Sequence, residues 1–325
     1  MHKEQRTFVA GHWGLAGSAI CRQLRDWPGV ALLTRSHEAL DLTEQAEVEA
    51  FMRVERPDQV YLATLQAGDT TAAGRRPAEL MHDGLAVETH VIHAAHAAGV
   101  RRLLFVGSSC IYPREAPEPI PEEALLTGPP EPASESCGIA GIAGIKLCES
   151  YNRQYGTDYR SAVSAPLYGP GDHASPEDGR VIPALIHRFH EAKRCGAGHV
   201  TVGDSGTRRR EFLHADDMAA ACVHVMHLDY ASYEEHSQPG RSHINVGTGE
   251  DLPMADVARL IAQVVGFEGE LRFDSSRADG ATPGRLDVSR LHALGWKARI
   301  GLEEGLVGAY AEFLERDGET GGVQP

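Results

Sequence analysis

The feature that most narrows what this chain can fold into is a glycine turn close to its start. Residues 7–10, TFVA, form a short apolar strand that runs directly into GHWGLAGSAICRQL. Gly11, Gly14 and Gly17 therefore lie between a strand and an amphipathic helix. Glycines at such a junction let the backbone turn tightly and approach a pyrophosphate, whose charge is met by the N–H groups of the helix start. The motif predicts a dinucleotide-binding strand–turn–helix unit. Arg35 follows the second strand, where an acidic residue favours NAD and an arginine accepts a 2′-phosphate, so NADP is favoured over NAD. Asp41 falls where adenine is often contacted in such folds.

The rest of the chain carries the same alternation. Strands are predicted at 30–34, 59–63, 103–107, 159–164 and 244–246, with helices near 44–54, 77–98, 138–155 and 216–228. Alternating strands and amphipathic helices imply right-handed parallel βαβ units, hence an α/β fold with a doubly wound parallel sheet. The Pro- and Glu-rich stretch 112–136 reads as a surface loop, and the pattern is irregular from Leu167 to about Asp216. We expect a Rossmann-type domain over 1–166 and a smaller, discontinuous α/β substrate lobe over 167–325, with part of 210–250 returning to the first domain.

Composition removes several classes of partner. A net charge of −15 argues against non-specific nucleic-acid binding, while leaving room for a local arginine cluster on a small phosphate compound. No apolar run is long enough to span a membrane. The N-terminal MHKEQRTFVAG lacks a signal-peptide pattern. The six cysteines show no C-x-x-C spacing, so neither a zinc knuckle nor a disulfide framework is indicated, and a reducing cytoplasm is expected.

The segments GHWGLAGSAI, FVGSSCIYP, GIKLCESYNRQYG, VIPALIHRFHEA, REFLHADDMA and HINVGTGE together resemble the GDP-L-fucose synthase family over about residues 6–315. That family comprises extended short-chain dehydrogenases that epimerise and reduce a GDP-4-keto-6-deoxy-mannose. The resemblance implies a homodimer, with a GDP-sugar as the small-molecule partner. It gives Ser108, Ser109 and Cys110 as a turn that contacts the hexose and supplies an acid–base thiol. Val181 falls beside the guanine and Arg210 on the diphosphate, with Arg180 and Arg285 as further substrate-side candidates. An arginine suits that place because its planar guanidinium pairs two phosphate oxygens at once.

The same resemblance marks departures in the redox machinery. Aligned through GIKLCES, Cys137 stands at the family's tyrosine and Gly141 at its lysine. Pro166, Gly84, Gln66 and Arg180 replace an asparagine, a second asparagine, a lysine and a histidine. Gly138, Gly141 and Gly144 share one helix flank, read equally as close packing or as space for a ligand. These losses lead to the expectation of a non-redox enzyme resembling metal-dependent GDP-fucose/GDP-galactose pyranose–furanose mutases. Mn²⁺ or Mg²⁺ would sit on the diphosphate, and NADP(H) would be dispensable. Asp69, Asp172, His173 and Asp178 are the candidate metal ligands, and Ser108, Ser109, Cys110 and Cys137 the catalytic set. Two alternatives stay open: an epimerase/reductase with a substitute acid, and a catalytically silent GDP-sugar-binding protein.

Overall fold

A computed structural model describes residues 4–25, 27–64, 76–172, 180–203, 205–237, 241–274 and 284–320. The first half runs β1 (Gln5–Ala10), α1 (Leu15–Arg25), β2 (Val30–Leu33), α2 (Gln45–Glu55), β3 (Gln59–Leu62), α3 (Pro77–Ala97), β4 (Arg102–Ser108), α4 (Glu135–Tyr155) and β5 (Asp158–Ser164). It continues through β6 (Leu167–Tyr168), α5 (Val181–Arg194), β7 (His199–Val202), β8 (Arg209–Arg210), β9 (Leu213–His214), α6 (Ala215–His227) and α7 (Tyr230–Glu235). The last elements are β10 (His243–Val246), β11 (Leu252–Pro253), α8 (Met254–Val265), β12 (Glu270–Phe273), α9 (Ser289–Ala293) and α10 (Leu302–Thr320).

Six parallel strands form the central sheet in the order β10-β5-β4-β3-β1-β2. β3 and β4 are apolar on both faces because helices cover both; Val60, Leu62, Leu103 and Leu104 are each fully buried. The chain order reverses between β1 and β3, so the crevice above their C-terminal ends is a topological switch point, where ligands enter such sheets. β10 joins the far edge beside β5, with Val246 opposite Ser164. Local signals set the helix ends: α3 begins on Pro77, where the missing N–H costs nothing, and α4 stops at Gly156, whose φ of 66° closes the last turn.

A second apolar cluster lies outside the sheet. It joins Ile182, Leu185, Ile186 and Phe189 of α5 to Val257, Ile261 and Val265 of α8, with Val200 and Val202 of β7. Helix α5 falls in the stretch read as irregular. Its buried residues recur at helical spacing, and Pro183 is tolerated because it occupies the first turn. Residues 112–136 also differ from a plain surface loop. Tyr112, Ile120, Glu122 and Leu125 are buried, and Tyr112 donates its hydroxyl hydrogen to Asn245 Oδ1 while Asn245 N donates to Glu122 Oε1. This polar network ties the loop to β10. Among the described residues no helix is long and apolar enough to cross a membrane.

Candidate active site

The glycine turn sits at the switch point. Gly11 has φ 84°, and a Cβ there would lie 2.7 Å from the Ala63 carbonyl oxygen beyond β3. A Cβ on Gly17 would lie 2.1 Å from the Gly11 carbonyl oxygen. The start of α1 is thus bare backbone at close quarters, a surface that fits a pyrophosphate and excludes side chains. Arg35 is turned aside: its guanidinium donates to Glu55 Oε1 (2.5 Å) and to the Thr34 carbonyl (2.8 Å) and lies 5.2 Å from the Phe51 ring centre. Asp41 accepts from Thr43 N at 2.9 Å and Thr43 Oγ1 at 2.7 Å, and these bonds hold its carboxyl below the usual range.

The second part of the site lies on the same sheet edge, after β4. Ser108 ends the strand, and Ser109–Ile111 make one tight helical turn that buries Ser109 and Cys110. Burial, reinforced by the neighbouring Cys137 thiol, pushes the Cys110 thiol up to about 12, against the opposing effect of the Ser108 hydroxyl. It is a neutral proton carrier at physiological pH. Helix α4 packs on this turn through its glycine flank. A Cβ on Gly138 would lie 2.6 Å from the Cys110 carbonyl oxygen, and one on Gly144 2.6 Å from Phe105 Cζ. Gly138 and Gly144 serve close packing, whereas Gly141 borders a cavity shared with Gly84, Glu88, Ser108, Cys110 and Cys137.

Glu88 went unnoticed in the sequence. It is 8% exposed, and burial pushes its carboxyl up to about 8, offset in part by the Gly144 N–H. An acid three and four residues before the buried Val91 and Ile92 was the available signal. Glu211 was missed as well. Its buried carboxylate accepts from Thr248 N (2.6 Å), Gly249 N (2.9 Å) and Leu286 N (2.8 Å), joining β8 to the loop that carries Arg285. Arg285 and Arg209 converge on Asp251, at 3.8 and 2.6 Å, and Arg210 lies half-buried next to Arg209 on β8. Val181 opens α5, and Arg180 occupies the position before it without a side-chain bond to the helix end.

The metal assignment is not supported. Asp69, His173 and Asp178 lie outside the described residues. Asp172 is engaged by Arg180, which donates to its Oδ1 at 2.7 Å, so its charge is already matched. Among the described residues no three His, Cys, Asp or Glu side chains gather as a metal would require.

Comparison with known proteins bears on the rest. The Escherichia coli (strain K12) GDP-L-fucose synthase is 51% identical over 312 residues, covering 96% of this chain and 97% of that protein. A GDP-6-OMe-4-keto-L-xylo-heptose reductase from C. jejuni superposes with a TM-score of 0.87 at 32% identity, covering 97% of this chain and 99% of that one. A GDP-D-glycero-L-gluco-heptose synthase from Campylobacter jejuni, solved in the presence of NADPH, gives 0.87 at 31% identity with the same coverage. These relatives overturn the expectation of a non-redox, metal-assisted mutase with dispensable NADP(H): the chain is similar over nearly its full length to a GDP-L-fucose synthase and to a GDP-linked ketoheptose reductase. The model of the NAD dependent epimerase/dehydratase family matches residues 7–247, and the chain belongs to that family.

Proposed function

We propose that the chain is an NADP(H)-dependent epimerase/reductase of a GDP-linked 4-keto-6-deoxyhexose, with a buried thiol pair in place of the tyrosine acid. The observation that supports this reading is that the bare glycine turn after β1 and the Ser108–Cys110 turn after β4 lie at the same C-terminal edge of the sheet, one strand apart. The amides at the start of α1 would receive the cofactor's pyrophosphate. Bound nicotinamide supplies the hydride. The chain's own residues do the remaining work. Ser108 and Ser109 hold the hexose, and Arg209, Arg210 and Arg285 meet the diphosphate, the first and last sharing Asp251 as their resting partner. Cys110, kept neutral by burial, gives a proton to the oxygen formed at C4. The proton moves as the hydride arrives, and the thiolate left behind, raised to about 12, regains its proton from water before the next turnover.

The test is incubation with NADPH and GDP-4-keto-6-deoxy-mannose, following the loss of reduced-nicotinamide absorbance. Consumption is expected, and Cys110→Ala should lower the rate by about a hundredfold or more, the usual worth of a positioned acid. A GDP-sugar-binding protein without turnover is the second reading. It is favoured by Gly141, which contributes no cation to the cavity beside Cys137. Tight GDP-sugar binding with no NADPH consumption would decide for it.

A further inference from the structure

The cavity beside Gly141 holds about 30 Å³ of room for water-sized groups. One such group needs about 10–15 Å³, so the space takes two heavy atoms. Its described lining is apolar or neutral apart from Glu88: Thr64, Ser108, Cys110 and Cys137 supply the other polar atoms. Glu88 Oε2 is buried and has no hydrogen-bond partner among the described residues. A buried carboxylate oxygen left open beside a void calls for a donor, and a cationic donor answers both its charge and its lone pair.

We infer that this cavity binds a small primary ammonium ion, of the size of methylammonium, through the Glu88 carboxylate. The ammonium N–H groups reach Glu88 and the hydroxyls of Ser108 or Thr64, while the carbon lies toward the apolar wall at Phe105 and Ala140. A divalent metal is a poor match, because it requires about six oxygen ligands and the lining offers thiols and hydrocarbon. The groups that face Glu88 are Cys110 on the turn after β4, which burial keeps protonated, and Cys137 and Cys148 on α4. Glu88 itself, at about 8, must lose its proton to hold the cation, so affinity rises with pH. Occupancy is a binding property, independent of the hydride reading. Any gain in turnover rests on that reading, since Gly141 is where the resemblance puts a lysine.

Calorimetric titration with methylammonium chloride at about pH 9, against potassium chloride at equal ionic strength, tests the site while the amine is still cationic. Saturable binding specific to methylammonium is expected, weakening at least tenfold by about pH 6. Glu88→Gln should weaken it at least tenfold, and Gly141→Lys should abolish it by placing a tethered ammonium in the same space. No saturable heat, an equal response to potassium, or full affinity in Glu88→Gln would overturn the inference and leave water as the occupant. Thermal melts confirm that each variant is folded. NADPH consumption measured without amine reports separately on the proposed function.

Discussion

Two glycine triplets in this chain have identical spacing and opposite uses. Gly11, Gly14 and Gly17 bring backbone against backbone at the switch point, and a turn free of side chains at these three positions is the product. Gly138, Gly141 and Gly144 bring a finished helix against the Cys110 carbonyl and the Phe105 ring, with a void left at the middle position. In the first triplet the neighbours that forbid a side chain are mainly rigid main chain. In the second they are partly side-chain ends that can yield. Spacing alone does not distinguish these; the identity of the atom each missing Cβ would strike does.

The comparison breaks most sharply at Gly17. Gly17→Val should cost about 3 kcal/mol or more and abolish NADPH binding, because the Gly11 carbonyl 2.1 Å from the new Cβ has nowhere to go. Urea unfolding with a parallel NADPH titration reads both effects, and a stable variant that binds NADPH would refute the account of the first triplet. Gly144→Ala should cost less, about 1–2 kcal/mol. Its Cβ would meet Phe105 Cζ at 2.6 Å and Glu88 Oε2 at 2.8 Å, and alanine's better helix propensity returns about 1 kcal/mol. Equal unfolding midpoints for this variant and the parent would show that the flank is loosely packed.

The pH dependence separates the two regions next, since Glu88 lies in the second. Its carboxyl is raised from 4.5 to about 8 in the folded chain, so between those values the native state binds more protons than the unfolded state. Its contribution is present below 4.5 and is lost as pH rises through about 8, at no more than about 1.4 kcal/mol per pH unit. Melting temperature against pH should therefore fall less steeply for Glu88→Gln than for the parent over that window; parallel curves would mean the carboxyl is not the titrating group. Gly141→Ala gives the smallest change. Its Cβ meets only the Ile111 Cγ2 methyl, at 3.0 Å, and the gain of about 1 kcal/mol in helix propensity offsets that contact to within about 0.5 kcal/mol. A loss of 2 kcal/mol or more in urea unfolding would make Gly141 a packing glycine like its neighbours.

Much of the fold was legible because period and punctuation are local. β1, the glycine turn, α1 and the βα alternation through β5 follow from short apolar runs, helical spacing and end signals such as Pro77 and Gly156. The stretch 167–216 was not, because α5 takes its apolar face from a partner, α8, that begins some sixty residues later. Around the cavity, Ser108, Cys110 and Cys137 are candidates that the resemblance implies, whereas Glu88 and Glu211 carry no such local signal. Their roles are set by what surrounds them: one faces a void, the other three distant amides. The reaction was misread for a related reason. The departures at Cys137, Gly141, Pro166, Gly84, Gln66 and Arg180 form a coordinated set, yet the chain as a whole is similar over nearly its full length to a GDP-L-fucose synthase and to a GDP-linked ketoheptose reductase.

By itself the sequence determined the α/β class, the βα alternation of the first strands and the position of the glycine turn, since each depends on residues within a few positions of one another. Tertiary structure alone decided that Arg35 pairs with Glu55, that Asp172 answers Arg180 rather than a metal, and that a buried carboxyl lies open beside Gly141. Those outcomes are contests for partners brought together by folding, and a pairing energy has no value until the distance is set.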